Sequence, residues 1–328
     1  MRFVLRRLGF FALTLWVAVS LNFMLPRMMP GNPALAMIAG HKGVVSPAAL
    51  RALAAQFGLN THQSIVSQYL QYLADISTGK FGVSLTTQPG TSVTHIVMQA
   101  IPWTLGLVGV TTVLAFILGT GIGIVSAWHR GGRVDSVLPP VFVIMTVIPY
   151  FWLGLVLILV FGVTLHWFPY FFTYDITLTP AFNWTYISNV LDHAVLPGFT
   201  LLITTIGTWI LTMRNTMITT LAEDYVRMAR AKGIPGWRIM LDYAARNAIL
   251  PNLTGFAMSL GFVVGGAILI EEVFNYEGVG WLLLQAVNND DYPLMQALFL
   301  LITVAVLVAI LLSDVATAIL DPRTRGAR

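Results

Sequence analysis

Long apolar runs separated by short polar clusters dominate the chain. Six stand out, at residues 9–26, 103–128, 137–165, 195–213, 253–270 and 298–318. A bilayer's hydrocarbon core takes roughly 20 apolar residues per helix, and each run is of that order. The pattern predicts an all-α polytopic membrane protein with six transmembrane helices. A transmembrane β-barrel would alternate apolar and polar residues in short segments, and these runs do not. The third run holds Pro139, Pro140 and Pro149, which predicts a tilt or kink. The first run follows Arg2, Arg6 and Arg7, like a signal peptide. It is too long for a signal h-region, and Pro26-Arg27-Met28-Met29-Pro30 replaces a small-residue cleavage site. It reads as a retained span.

The polar positions orient the spans. Of the 18 Lys and Arg, Arg2, Arg6 and Arg7 lie at the N-terminus, and Arg130 and Arg133 follow the second run. Arg214, Arg227, Arg230, Lys232, Arg238 and Arg246 follow the fourth, and Arg323, Arg325 and Arg328 end the chain. The other four, Arg27, Lys42, Arg51 and Lys80, lie between the first two runs. Cytoplasmic loops carry the Lys/Arg excess. Both termini are therefore expected in the cytoplasm. The net charge of +4 follows from that orientation and implies no nucleic-acid partner. The content of 57% hydrophobic and 10% charged residues agrees; a soluble domain would have about 25% charged.

The layout is then an N-terminus and first span at 1–26, an extracytoplasmic segment at 27–102, a five-span core at 103–318 and a cytoplasmic tail at 319–328. The extracytoplasmic segment reads as helical. Ser46-Pro47 is an N-cap with proline at the first helical position, and Gly58 is a stop. A second helix fits 61–78, with Ile65, Tyr69, Tyr72, Leu73 and Ile76 on one face. A third, at 91–100, leads into the second span. Gly119 with Gly123, and Gly261 with Gly265, have the four-residue spacing that lets helix backbones approach closely in lipid. Ordinary helix packing is the main reading of these pairs. The aromatic stretch 167–174 reads as an interfacial belt.

Several chemistries are missing. The chain has no cysteine, which removes disulfides, thiolate metal sites and cysteine nucleophiles. The middles of the spans hold almost no ionisable residue. Arg214 sits at an inner end, Glu271 and Glu272 at an outer end, and Asp314 near the cytoplasmic side. Ion-driven carriers place such groups inside their spans, so a stand-alone carrier or channel is disfavoured. The phosphate-cradling G-x-x-x-x-G-K-[ST] motif is absent, and Gly79-Lys80 is followed by Phe81. No catalytic, cofactor or metal site is expected. Energy for any active transport must come from another chain.

The loop at 214–251 carries the clearest signal. It contains EDYVRMARAKGIPGWRIMLDYAARNAILP. Helix formers run to Gly233, Ile234-Pro235-Gly236 makes a turn, and a new helix is expected at 237–250. Charge alone would make this a solvated positive-inside loop. The residues 224–233 and 246–251, however, resemble the cytoplasmic signature of the dipeptide/oligopeptide branch of ABC importer permeases. That branch reads Asp-Tyr-Val-Arg-x-Ala-Arg-Ala-Lys-Gly and later Arg-Asn-Ala-x-x-Pro. Arg227 stands where the wider family has Glu. Further similar motifs, in order, are Pro30-Gly31-Asn32-Pro33, Gly79-Lys80-Phe81-Gly82-Val83-Ser84, Pro149-Tyr150-Phe151-Trp152-Leu153-Gly154, Glu272-Val273-Phe274 with Gly278-Val279-Gly280, and Asp321-Pro322-Arg323. The start and the long first outer loop are similar to the B-type permease of the pair.

The resemblance implies a type I importer permease fold, a place in the inner membrane of a bacterial cell and a subunit that is not itself catalytic. It implies partnership with a second homologous permease, two ATP-binding subunits and an extracytoplasmic solute-binding protein, besides lipid. Di- or oligopeptides are the implied solute; oligosaccharide, nickel and haem belong to the same branch. The residues implied to couple to the ATPase are Asp224, Tyr225, Arg227, Ala229, Arg230, Ala231, Lys232, Gly233 and Arg238. Small Ala229 and Ala231 are expected to let this helix sit deeply in a cleft.

Overall fold

The structure, a computed structural model, describes residues 2–28 and 64–320, with side chains over 9–24 and 64–313. The expected helix at 46–58 and the motifs at 30–33 and 321–323 lie outside the described residues. Helix α1 spans Arg2–Met28 and α2 spans Ile65–Ser77. Helix α3 runs Val93–Trp128, α4 Arg133–Val147, α5 Tyr150–Thr164 and α6 Trp184–Leu221. Helix α7 is Asp224–Ala231, α8 covers 236–248 and α9 is Leu250–Val263. Helices α10 (Ile268–Val273), α11 (Val279–Asn288) and α12 (Tyr292–Leu320) follow. No strand is present among the described residues, only an isolated bridge between Val83 and Ser92.

Among the described residues, three helices are each long and apolar enough to cross a bilayer: α3, α6 and the Tyr292–Ser313 part of α12. The third predicted span is two helices, α4 and α5, at 98° to each other. The cause is local. Ile148 is extended (ψ 127°) because it precedes Pro149, whose ring disfavours the α region there. Pro149 then starts α5 as its N-cap. The fifth predicted span is interrupted. Helix α9 has 14 residues, about 21 Å at 1.5 Å per residue, and stops before Gly265-Gly266. Gly266 has φ +72°, in the left-handed region that favours glycine.

The bundle core is built where small residues let backbones meet. A Cβ on Gly119 would lie 2.6 Å from Trp209 Cβ and 2.9 Å from the Ile206 carbonyl oxygen. One on Gly123 would lie 2.7 Å from Met213 Cβ and 2.8 Å from the Ile210 carbonyl oxygen. These glycines therefore seat α3 on α6, as the packing reading expected. Gly261 packs directly on Ala309 of α12, whereas a Cβ on Gly265 would meet Ile302 and the Phe262 carbonyl oxygen, both at an ordinary 3.4 Å. The ends of α3 face different neighbours. Near its start, Val93, Ile96, Val97 and Ala100 share a buried core with Val279, Leu282 and Leu294. At its other end, Trp128 packs on Val226, Ala229 and Ile239.

Two buried carboxylates fasten the end away from the Arg-rich loop. Asp291 accepts the Ser84 hydroxyl and the backbone N–H groups of Leu85, Thr86 and Thr87 at 3.1–3.3 Å. Glu271, fully buried, accepts Thr104 Oγ1 at 2.9 Å and the N–H groups of Gly280 and Trp281 at 2.8 and 3.0 Å. Buried charge is costly unless hydrogen-bonded, and both groups are amply satisfied. On α2, Ser64 caps the start, and Tyr69 and Tyr72 pack on Phe23 of α1. Ile65, assigned to the same apolar face, is 69% exposed.

Candidate functional site

Helix α7 begins at the N-cap Glu223, with Asp224 in its first turn and Arg230 in its last. Both charges suit the helix dipole. The end is a Schellman motif. Gly233 N–H donates to the Arg230 carbonyl at 2.9 Å, and Ile234 N–H donates to that of Ala229 at 3.3 Å. Gly233 sits at φ +73°, which is what this motif asks of its glycine. Pro235 then caps α8, with Arg238 and Ile239 N–H donating to its carbonyl at 3.0 and 3.1 Å. The predicted stop, turn and second helix are thus all present.

The inner face of α7 is Val226 and Ala229, packed on Ile239 with Trp128, Leu221, Ile234 and Tyr243 around them. This corrects one expectation. Ala229 is 3% exposed, so its small size serves close packing within the chain and is not presented to a cleft. Asp224, Tyr225, Arg227, Arg230, Ala231, Lys232, Gly233 and Arg238 are exposed. Arg227 lies 3.6 Å from Asp224, a solvated pair worth little. The Arg230 guanidinium lies over the Trp128 ring at 5.8 Å, and that of Arg238 over Trp237 at 5.1 Å.

The two halves of the loop signature are joined in space. Asn247 Nδ2 donates to Tyr225 Oη at 2.8 Å, and Tyr225 Oη lies 3.4 Å from the Tyr243 carbonyl. This bond links Tyr225 of the first motif to Asn247 of the second. Beyond it, Ala244, Ala245 and Ala248 of α8 pack on Met213, Met217 and Ala127. Asn252, fully buried, donates to Thr120 Oγ1 at 3.0 Å and to the Trp209 carbonyl at 3.2 Å. Helix α7 thus packs on α8, and Asn252 joins α9 to α3 and α6.

The sequence reading missed the apolar part of the exposed surface. Met228 is 54% exposed and Trp237 57%. A helical-wheel count from buried Val226 and Ala229 would have put Met228 on the open side. No group of His, Cys, Asp and Glu suited to a metal occurs among the described residues. Near the same end, Asp135 in the first turn of α4 forms an ion pair with Arg214 of α6. Arg214 Nη2 donates to Asp135 Oδ2 at 3.0 Å, and Gly131 N–H adds a bond of 2.9 Å.

Among the described residues the chain is all-helical, with long, bent and broken apolar helices and a compact polar helix-turn-helix built onto one end, the build of a polytopic membrane protein. Residues 119–326 match the family described as the binding-protein-dependent transport system inner membrane component, and residues 1–108 match its N-terminal family. The chain belongs to this family of inner membrane transport components. It is 34% identical over 304 residues to the oligopeptide transport system permease protein AppB of Bacillus subtilis, covering 92% of each chain. It is 32% identical to the di/tripeptide transport system permease protein DppB of Pseudomonas aeruginosa, covering 99% of each. It is also 32% identical to the glutathione transport system permease protein GsiC of Escherichia coli, again over 99% of each.

Proposed function

We propose that this chain is the transmembrane permease subunit of an ATP-driven importer of di- or oligopeptides. Relatives named for oligopeptides, di/tripeptides and glutathione, itself a tripeptide, favour peptide over sugar, nickel or haem. The spans are α1, α3, the bent α4–α5 pair, α6, the broken α9–α10 pair and α12, with both termini cytoplasmic. Residues 27–102 form the extracytoplasmic segment, 103–318 the permease core and 319–328 the tail. Partners are a second homologous permease, two ATP-binding subunits and an extracytoplasmic solute-binding protein. ATP hydrolysis belongs to the separate subunits.

The observation that carries the coupling role is the two-faced α7. Its inner face is locked into the chain by Val226 and Ala229, while its open face offers Tyr225, Arg227, Met228, Arg230, Ala231, Lys232 and Gly233, with Arg238 beyond the turn. An apolar centre ringed by cations fits a pocket with an acidic rim. The test is Gly233→Asp. No atom stands within 4 Å of a Cβ at Gly233, and Asp tolerates the left-handed region better than most residues, so the chain should still insert. ATP-driven peptide uptake should be lost while membrane levels hold. Normal uptake by this variant would remove the assignment.

A further inference from the structure

The α9–α10 break and an irregularity in α3 lie at one level of the molecule. Thr104, the last residue of the Val93–Thr104 stretch, is followed by a π-helical turn at Leu105–Gly109, and Pro102 stands just before it. Such turns and prolines interrupt the regular hydrogen-bond ladder and permit bending. The fifth span is interrupted at Gly265-Gly266. Between the two interruptions stands Glu271. Its carboxylate accepts Thr104 Oγ1, and Thr104 Oγ1 in turn accepts Val279 N–H at 2.7 Å. Gly280 and Trp281 N–H at the start of α11 complete the set. Three glycines make room for this group. A Cβ on Gly266 would lie 2.8 Å from Glu271 Oε1, one on Gly280 would lie 3.1 Å from Oε2, and one on Gly278 would collide with the carboxylate.

Several segments on the outer side of that level are fastened together. The outer part of α3 shares its buried core with α11 and the start of α12, and Asp291 holds the turn at 84–87. On the inner side, α9 is tied instead to α3 and α6 by Asn252 and to α12 by Gly261. We propose that Glu271 is a positioning residue that clamps residues 82–104 and 268–291 into one outer body, so that motion arriving along α9 is taken up at Val264–Ala267 and at the Leu105–Gly109 turn. Helix α12, unbroken from Tyr292 to Leu320, is the shared axis. The motion in question is that of the coupling role proposed above, and this inference rests on that reading.

The chain's lack of cysteine makes site-directed spin labelling direct. Labels go on exposed Met98, Val287 and Met258 through Met98→Cys, Val287→Cys and Met258→Cys. The chain is reconstituted in lipid with its partner subunits. The 98/287 pair, both in the outer body, should give one narrow distance with and without a non-hydrolysable ATP analogue. The 287/258 pair, across the break, should be broader and should shift by ~2 Å or more with nucleotide, the scale of helix displacements in switching proteins. Glu271→Ala should broaden the 98/287 distribution and lower peptide uptake per ATP hydrolysed by about tenfold, within the usual range of coupling between sites. Glu271→Gln, which keeps the shape and can still accept from Gly280 and Trp281, should restore the narrow distribution. If Glu271→Ala fails to assemble, Thr104→Val tests the same link. The clamp is overturned if 98/287 moves with nucleotide as much as 287/258, or if Glu271→Ala leaves 98/287 narrow. A complex that shows no ATP-driven uptake overturns the importer reading alone. The relative widths of the two distributions then still decide the hinge.

Discussion

Gly119 and Gly121 sit two residues apart on α3 and should respond oppositely to the same substitution. An added Cβ at Gly119 would stand 2.6 Å from Trp209 Cβ and 2.9 Å from the Ile206 carbonyl oxygen. Neither atom is the far end of a flexible side chain, so α3 and α6 must separate locally by about 1 Å to restore an ordinary carbon–carbon contact. Overpacking of this kind costs roughly 1–3 kcal/mol. At Gly121 nothing lies within 4 Å. Both changes gain the helix preference of Ala over Gly, about 1 kcal/mol, so the difference between the two variants isolates the overpacking term. Gly121→Ala should match or exceed the parent chain in stability, and Gly119→Ala should fall ~1–3 kcal/mol below Gly121→Ala. Equilibrium unfolding of the purified chain in mixed micelles, followed by tryptophan fluorescence, measures this. Equal stability of the two variants would refute the close-contact account of the α3–α6 seam.

Arg214→Met leaves Asp135 buried without its cation and should cost about 1.5–3 kcal/mol, the usual value of hydrogen bonds to charged groups; thermal melting in detergent checks it. Asp291→Ala removes the acceptor shared by Ser84, Leu85, Thr86 and Thr87. Amide exchange should rise at 85–88 and stay unchanged at 224–233. Trp237→Ala truncates an exposed aromatic on the proposed docking face. It should weaken association with the ATP-binding subunits by roughly 2 kcal/mol if Trp237 is an interface anchor, with no change in the chain's own melting temperature. Asn247→Leu breaks the bond to Tyr225 and should lower uptake while leaving insertion intact, read as peptide accumulation per unit of membrane protein.

Long elements and their caps were legible because they depend on neighbours in sequence. Gly233, Pro235 and the alternation of buried and open positions on α7 are local facts, and the helix, its stop and its turn all occur where the residues dictate. Pro149 likewise announced a bend, though its size of 98° depends on how α4 and α5 pack on α6. The start of α3 was expected near residue 91, but its unbroken run into the second span was less visible, because Thr94, His95 and Gln99 keep the apolar run from beginning before residue 103. The helix is one piece from Val93 to Trp128, and Val93, Ile96, Val97 and Ala100 find a core in α11 and α12. That core is assembled from residues nearly 200 positions away, and no local pattern reports it.

The two carboxylates show the same limit more sharply. Glu271 and Glu272 are adjacent and equivalent as letters, and the family-like motif begins at Glu272. Yet Glu272 is exposed, while Glu271 has no exposure and is held by α3 and α11. Helical spacing does distinguish them, since Glu271 falls one residue after buried Ile270 and three before buried Phe274, on the face that must pack. What spacing cannot supply is the partner. Gly278 and Gly280 look like turn residues in the sequence, but their missing side chains are the space the Glu271 carboxylate occupies. Apolar runs can be counted against bilayer thickness; a buried carboxylate becomes intelligible only with its donors in place. The helix-turn-helix at 224–248 is legible because its stop and turn are made by its own neighbours. The clamp at the opposite end is not, because Thr104, Glu271 and the start of α11 meet only after the bundle has closed.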